Sequence, residues 1–266
     1  MLTQVFVGLA LAAVASFVAY RLHSLTLRGA YAATLLGAVV FGLGGWQWAI
    51  LLLAFFLSSS ALTRAFKDTK QGAEEKYAKG GPRDEMQVLS NGGPAAVFVL
   101  LHAIFPGAAW PWVGFAGALA AVNADTWATE LGVLNPGRPR LITRLGTPVE
   151  KGTSGGISPA GTFASLLAAA VIAALAAFTT RSAQSSTLFS VTLAGLLGSL
   201  VDSLLGATLQ AVYFCPLDQK ETEKHPLHTC GTETILVRGW QWLDNDLVNV
   251  ACGVAGALIA LGLSTL

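Results

Sequence analysis

Between Gly29 and Thr63 the chain carries no charged residue. At 1.5 Å per residue that run is too long for one bilayer crossing, which takes about 20 residues. Gly42-Leu43-Gly44-Gly45 supplies a break within it, so two spanning helices are expected there. The same reasoning along the chain gives eight apolar segments, at 2–20, 29–43, 46–62, 92–105, 110–134, 159–178, 187–214 and 246–263. Pro106 and Pro111 mark a tight turn between the fourth and fifth. Only 12% of the 266 residues are charged, where a soluble domain has about 25%. The expected fold is all-α: a polytopic transmembrane helical bundle forming a single integral membrane domain over 1–266. No basic stretch precedes the first segment, so we expect a spanning helix there and no cleaved leader.

The charges test that count. Arg21 and Arg28 fall in the first connection, and Arg64, Lys67, Lys70, Lys76, Lys79 and Arg83 in the third. Arg138, Arg140, Arg144 and Lys151 fall in the fifth, and Lys220, Lys224 and Arg238 in the seventh. Of the 16 Lys and Arg, only Arg181 lies in an even-numbered connection. By the positive-inside rule both termini are expected outside and the long loops in the cytoplasm. The setting that follows is a bacterial inner membrane whose active face is cytoplasmic.

Against that background two carboxylates stand out inside the fifth segment, which reads Asn123-Ala124-Asp125-Thr126-Trp127-Ala128-Thr129-Glu130-Leu131-Gly132. An ionised group in a spanning helix costs a few kcal/mol or more, so such acids either tie helices together or hold a metal or substrate. Asp125 and Glu130 are about 140° apart around a helix and flank one broad face. A third acid, Asp202, sits in the seventh segment, where Gly198, Gly206 and Ala207 would let a neighbouring helix approach closely. Asp125 lies nine residues, and Asp202 about twelve, before the cytoplasmic ends of their segments. The two are therefore expected to meet at similar depth.

The cytoplasmic connections add phosphate chemistry. The third contains Gly80-Gly81-Pro82-Arg83-Asp84-Glu85-Met86-Gln87-Val88-Leu89-Ser90-Asn91-Gly92-Gly93, which opens into the fourth helix. The fifth contains Lys151-Gly152-Thr153-Ser154-Gly155-Gly156-Ile157-Ser158-Pro159, with proline at a helix start. Glycine ahead of a helix N-terminus offers backbone N–H groups and a positive dipole end to an anion, although glycine and proline also simply punctuate loops. Neither loop has the P-loop pattern. In the seventh connection Cys215, Asp218, His228 and Cys230 have the spacing of a zinc knuckle with one carboxylate ligand, His225 being spare. Such a zinc would be structural. Trp240 and Trp242 suit the membrane interface, and Asp246 and Asn249 open the eighth helix.

Oxygen ligands suit Mg²⁺, which usually bridges to substrate phosphates, and cationic loops suit the phosphates themselves. The matching reaction class is phosphoryl or nucleotidyl transfer onto a lipid. The alternative is a carrier with a cation or proton site at Asp125 and Asp202.

Five motifs carry a resemblance: 123–132, Gly-Thr-Ser-Gly-Gly at 152–156, Arg-Asp-Glu-Met-Gln-Val-Leu-Ser-Asn-Gly-Gly at 83–93, Asp-Ser-Leu-Leu-Gly-Ala-Thr-Leu-Gln at 202–210 and Asn-Asp-Leu-Val-Asn at 245–249. Together they resemble the phytyl-phosphate kinase family of integral membrane proteins, domain of unknown function 92. The likeness covers nearly the whole chain and extends distantly to CTP-dependent dolichol kinases and lipid cytidylyltransferases. It implies transfer of a phosphate from CTP, or another nucleotide, to an isoprenyl monophosphate such as phytyl or geranylgeranyl phosphate. That activity fits the residues read above: we expect Asp125 and Asp202, with Glu130 assisting, to hold Mg²⁺, and Arg83, Arg144 and Lys151 to neutralise phosphate. Further nucleotide contacts fall on Asp84, Gln87, Asn91, Gly92, Asn123, Gly152, Thr153, Ser154, Gly155, Gly156, Asp246 and Asn249. The expected partners are the bilayer, the nucleotide and the lipid phosphate, with a homodimer left open and no nucleic acid.

Overall fold

The computed structural model describes residues 2–66, 81–180 and 185–265. The charged stretch that includes Lys67, Lys70, Lys76 and Lys79, and Arg181, lie outside the described residues. Eight long helices are present among the described residues: α1 (Leu2–Arg21), α2 (Leu27–Val39), α3 (Trp46–Ala65), α4 (Glu85–Ile104), α5 (Trp110–Gly132), α6 (Pro159–Thr180), α7 (Ser185–Thr208) and α8 (Asn245–Ser264). The α2 helix runs on as a π-helical turn, Val40–Gly44, and stops at Gly45, whose φ of 85° only glycine adopts readily. That is the break expected within the uncharged run.

Seven of these helices are long and apolar enough to cross a membrane. The exception is α5, and packing explains it. The α5 helix touches α3, α4, α6, α7 and α8, and residues Phe115 to Ala124 are almost wholly buried. It reaches the middle of the bundle because its surface is small. A Cβ added at Gly256 of α8 would strike Ala121 and the Gly117 carbonyl, and one at Gly198 of α7 would meet Ala121 at 2.5 Å. Small residues at crossings are how membrane helices gain close contact without a hydrophobic drive between them. The α1–α2 pair packs to one side, with α2 against α4.

Two segment boundaries differ from expectation. The α4 helix starts at Glu85 and not at Gly92, because Asp84 and Gln87 form a reciprocal capping box: the Gln87 N–H donates to Asp84 Oδ1 at 2.9 Å and the Asp84 N–H to Gln87 Oε1 at 3.1 Å. Gly92 and Gly93 therefore lie inside the helix, and Pro94 is accommodated beside Gly253 of α8. The α7 helix ends at Thr208, since Val212–Cys215 leaves as a strand rich in β-favouring side chains.

Small sheets organise the fifth and seventh connections. Strands β1 (Arg140–Leu141), β2 (Arg144–Pro148) and β3 (Gly156–Ile157) pair in the order β2-β1-β3. Strands β4 (Val212–Cys215), β5 (Lys220–Thr222) and β6 (Ile235–Arg238) pair in the order β5-β4-β6, all antiparallel.

Candidate active site

The third, fifth and seventh connections come together at one end of the bundle around a polar cavity of about 320 Å³. Asp125 and Asp202 stand in its wall, their carboxyl groups within hydrogen-bonding reach of each other. Depth brings them together: Asp125 precedes Gly132, and Asp202 precedes Thr208, by nearly the same run of helix. That is about 10 Å at 1.5 Å per residue. Asp202 Oδ2 is buried with no hydrogen-bond partner among the described residues. The cavity is also lined by hydroxyls: Ser199 and Thr129 lie one helical turn from Asp202 and Asp125, and Ser203 and Thr126 directly follow them in the chain. Ser165 of α6 lies between the two helices, its Oγ 3.3 Å from Ser199 Oγ and 3.2 Å from the Ala124 carbonyl it donates to.

Glu130 also lines the cavity. It accepts a hydrogen bond from Thr63 Oγ1 at 2.7 Å and lies in the field of Arg83. Arg83 is half-buried and is held from both sides. Its backbone pairs with the α1–α2 turn, through Arg83 N–H to the Ser24 carbonyl at 3.0 Å and Thr26 N–H to the Arg83 carbonyl at 2.9 Å. Its guanidinium donates to Ser60 Oγ at 3.3 Å and lies over the Phe56 ring. Burial lowers the Arg83 pKa from its ordinary value, and the negative charge of Glu130 pulls the other way. Lys151 Nζ donates to the Val133 carbonyl at 2.7 Å, just past the C-terminus of α5, where a cation meets the negative end of the helix dipole.

The glycine loop of the fifth connection closes the cavity beside α7. Gly152 and Gly155 have φ of 81° and 82°, and a Cβ at Gly155 would strike Ala207. Gly206 in turn leaves room for Ser154. These small residues of α7 therefore accept a loop and not, as expected, a helix. Ser154 Oγ donates to Gln210 Oε1 at 2.9 Å, and Gln210 Nε2 donates to Glu223 Oε1 at 2.7 Å, so one buried amide ties the loop to the β5 side of the seventh connection. The starts of α4, α6 and α8 all contribute to the lining, through Gln87 and Asn91, Ser158 and Gly161, and Asn245, Asp246 and Asn249. Three helix N-termini facing one volume favour an anion there.

Most of the residues expected to hold Mg²⁺, phosphate or the nucleotide line this cavity, but four do not. Asp84 is engaged as the α4 cap. Gly92 sits inside α4 against Leu36. Asn123 is sealed in the core, donating to the Ala168 carbonyl at 3.0 Å and accepting from Ser58, which also accepts from the Trp127 indole. Arg144 lies exposed on β2. Lining residues not picked out include Thr63, Ser165, Ser199, Asp244 and Glu223. Hydroxyls one turn from an intramembrane acid could have been found by helical periodicity; Glu223 had no local signal.

Beside the β4–β5 turn, Cys215, Asp218, His228 and Cys230 converge, one ligand atom from each lying within 4.8 Å of all the others. His225 is not among them and stacks on Tyr213 with ring centroids 4.4 Å apart. Trp240 and Trp242 stack on each other at 5.3 Å, both exposed.

A helical bundle built of membrane-crossing helices, with acids, basic residues and glycine loops gathered at one end, is a polytopic integral membrane protein with a polar site. The chain belongs to the DUF92 family of integral membrane proteins, whose model matches residues 10–257. It is 36% identical over 261 residues to Protein PGR of Arabidopsis thaliana, covering 88% of this chain and 87% of that one. With the uncharacterized membrane protein MJ0933 of Methanocaldococcus jannaschii the identity is 32%, over 79% of this chain and 84% of that one. With Protein VTE6, chloroplastic, of Arabidopsis thaliana it is 27%, over 89% and 64% respectively. No solved structure matches the chain.

Proposed function

We propose that this protein is a membrane prenyl-phosphate kinase, which transfers the terminal phosphoryl group of a nucleoside triphosphate, CTP in the first instance, to an isoprenyl monophosphate. The observation that carries it is the facing pair Asp125 and Asp202 in a polar cavity that Arg83, Lys151 and a glycine loop also enter. The family resemblance and the relationship to VTE6 support the same class.

A divalent cation fits the donor set. Asp125 and Asp202 offer carboxylate oxygens, one of them otherwise unpartnered, and Asn249 and the neighbouring hydroxyls add neutral oxygens. Asp125 and Asp202 would hold Mg²⁺, which when bound neutralises phosphate oxygens. Glu130 steadies Arg83 and stands outside the metal set in this scheme. Arg83 and Lys151 bind the phosphates, and the N-termini of α6 and α8 orient them. The acceptor monophosphate is substantially ionised near neutrality, with a second pKa of about 6, so no strong base is required. One of its oxygens bonds to the terminal phosphorus as the bond to the leaving nucleoside diphosphate breaks. The prenyl tail lies among the lipids, and the gathering of basic residues in the connections around the cavity supports a cytoplasmic active face.

Purified protein incubated with labelled CTP, Mg²⁺ and phytyl or geranylgeranyl phosphate should yield the prenyl diphosphate and CDP. Release of pyrophosphate would instead make it a cytidylyltransferase. No transfer to any acceptor, together with cation-coupled flux in liposomes, would make it a carrier.

A further inference from the structure

The seventh connection holds a second polar cluster that the cavity does not use. Cys215 ends β4, Asp218 lies in the β4–β5 turn, and His228 and Cys230 lie on the tight turn closed by Gly231, whose N–H donates to the His228 carbonyl at 2.9 Å. Gly231 has a φ of 81°, which lets the chain reverse directly after Cys230. The Cys215 and Cys230 sulfurs are 3.5 Å apart, well beyond the roughly 2.05 Å of a disulfide, and both are free thiols. His228 Nδ1 is 2.9 Å from Asp218 Oδ2. The His228 side chain is 2% exposed although the turn is at the surface. A tetrahedral zinc, with bonds of about 2.3 Å to sulfur and about 2.0–2.1 Å to nitrogen or oxygen, separates its ligand atoms by roughly 3.3–3.8 Å. Four ligand atoms within 4.8 Å of one another meet that demand with small side-chain adjustments. The Asp218 N–H also points to Cys215 Sγ at 3.4 Å, the kind of outer contact that steadies a metal thiolate.

We infer that Cys215, Asp218, His228 and Cys230 bind one Zn²⁺ as a closed structural site, which clips the β4–β5 hairpin and fixes Glu223 at the cavity. Four protein ligands leave no open position, so the ion serves shape and not chemistry. The connection to the cavity is short. Cys215 pairs with Lys220 and Tyr213 with Thr222 in the β4–β5 ladder, and Glu223 follows directly. Beyond it, Thr234 Oγ1 donates to the Lys224 carbonyl at 3.0 Å and holds the strand that returns from the cluster. A clip across the far end of the hairpin thus restrains the residue at its near end. The inference does not depend on the kinase assignment.

The test uses full-length protein in detergent with any histidine tag removed. Elemental analysis should find about one zinc per chain, and cobalt in its place should give the visible bands of a tetrahedral site with thiolate charge transfer. Cys230→Ser should lower the zinc content at least fivefold. Asp218→Cys completes a three-cysteine, one-histidine set and should keep the metal, which guards against mere misfolding of the serine variant. Stripping zinc from the wild type should speed amide exchange in residues 212–238 and leave α5–α8 unchanged. Protein with no zinc, a Cys215–Cys230 disulfide in freshly purified protein, or zinc retained in Cys230→Ser would overturn the site. Unchanged exchange after stripping would overturn its role as a clip.

Discussion

Replacing Gln210 with leucine removes the joint between two connections while nearly preserving volume. The Gln210 amide is 1% exposed and makes two side-chain hydrogen bonds, accepting from Ser154 Oγ at 2.9 Å and donating to the Glu223 carboxylate at 2.7 Å. A neutral hydrogen bond contributes about 1 kcal/mol net and one to a charged group about 1.5–3 kcal/mol. Ser154 and Glu223 are only half-buried and regain some water contact, and leucine recovers some apolar burial. The net loss should be about 2 kcal/mol. For a chain of this size that corresponds to a fall in melting temperature of roughly 4–8 °C, read by intrinsic fluorescence in one fixed detergent. Ser154→Ala alone should cost about 1 kcal/mol, and the double variant should fall short of additivity by about 0.5–1 kcal/mol, because both changes break the same bond. If Gln210→Leu melts with the wild type, or the two changes add fully, the joint does not hold the loops together and its place beside Glu223 has no energetic meaning.

Four other outcomes follow from the same geometry. Asp125→Asn and Asp202→Asn should each lower turnover in the proposed prenyl-phosphate kinase reaction by roughly 100-fold or more, as loss of a group that stabilises transition-state charge does, with membrane insertion and melting retained; normal turnover in either would refute the proposed metal role. Arg83→Lys keeps the charge but loses the planar fork that reaches Ser60, so phosphate transfer should fall about tenfold, measured against the same acceptor. Gly155→Ala puts a side chain at φ 82° and into Ala207, and should cost about 2–4 kcal/mol in a denaturation series. Gly256→Leu should prevent α5 and α8 from crossing, seen as loss of a monodisperse peak in detergent chromatography.

Much of the bundle was legible because bilayer-spanning helices must be apolar and of fixed length, and glycine and proline set their ends. The meeting of Asp125 and Asp202 was legible for the same reason: the register of two parallel segments follows from where the basic residues lie. The start of α4 was misplaced because the Gly92-Gly93-Pro94 run reads as a break, whereas the Asp84-to-Gln87 capping spacing was the stronger signal. The α7 end was misplaced because Val212, Tyr213 and Phe214 are as apolar as the helix before them, and only their strand preference separates the two. Asn123 looked like a ligand beside Asp125, yet it lies two positions away, on a different face of the helix, and bonds Ala168 and Ser58. Glu223 could not be found from sequence, since its position depends on Gln210 and on the pairing of β4 with β5.

The centrality of α5 has a consequence for how the protein is made. Three of the helices that wrap it, α6, α7 and α8, are synthesised after it. Until they emerge, a segment bearing Asn123, Asp125 and Glu130 has no proteinaceous shelter on those sides and is a poor guest for lipid. In a nascent chain truncated after Gly132, α1–α4 should already resist alkali while a cysteine placed in α5 stays open to water-soluble labelling, and α5 should become protected only once the distal half of the polypeptide has been added.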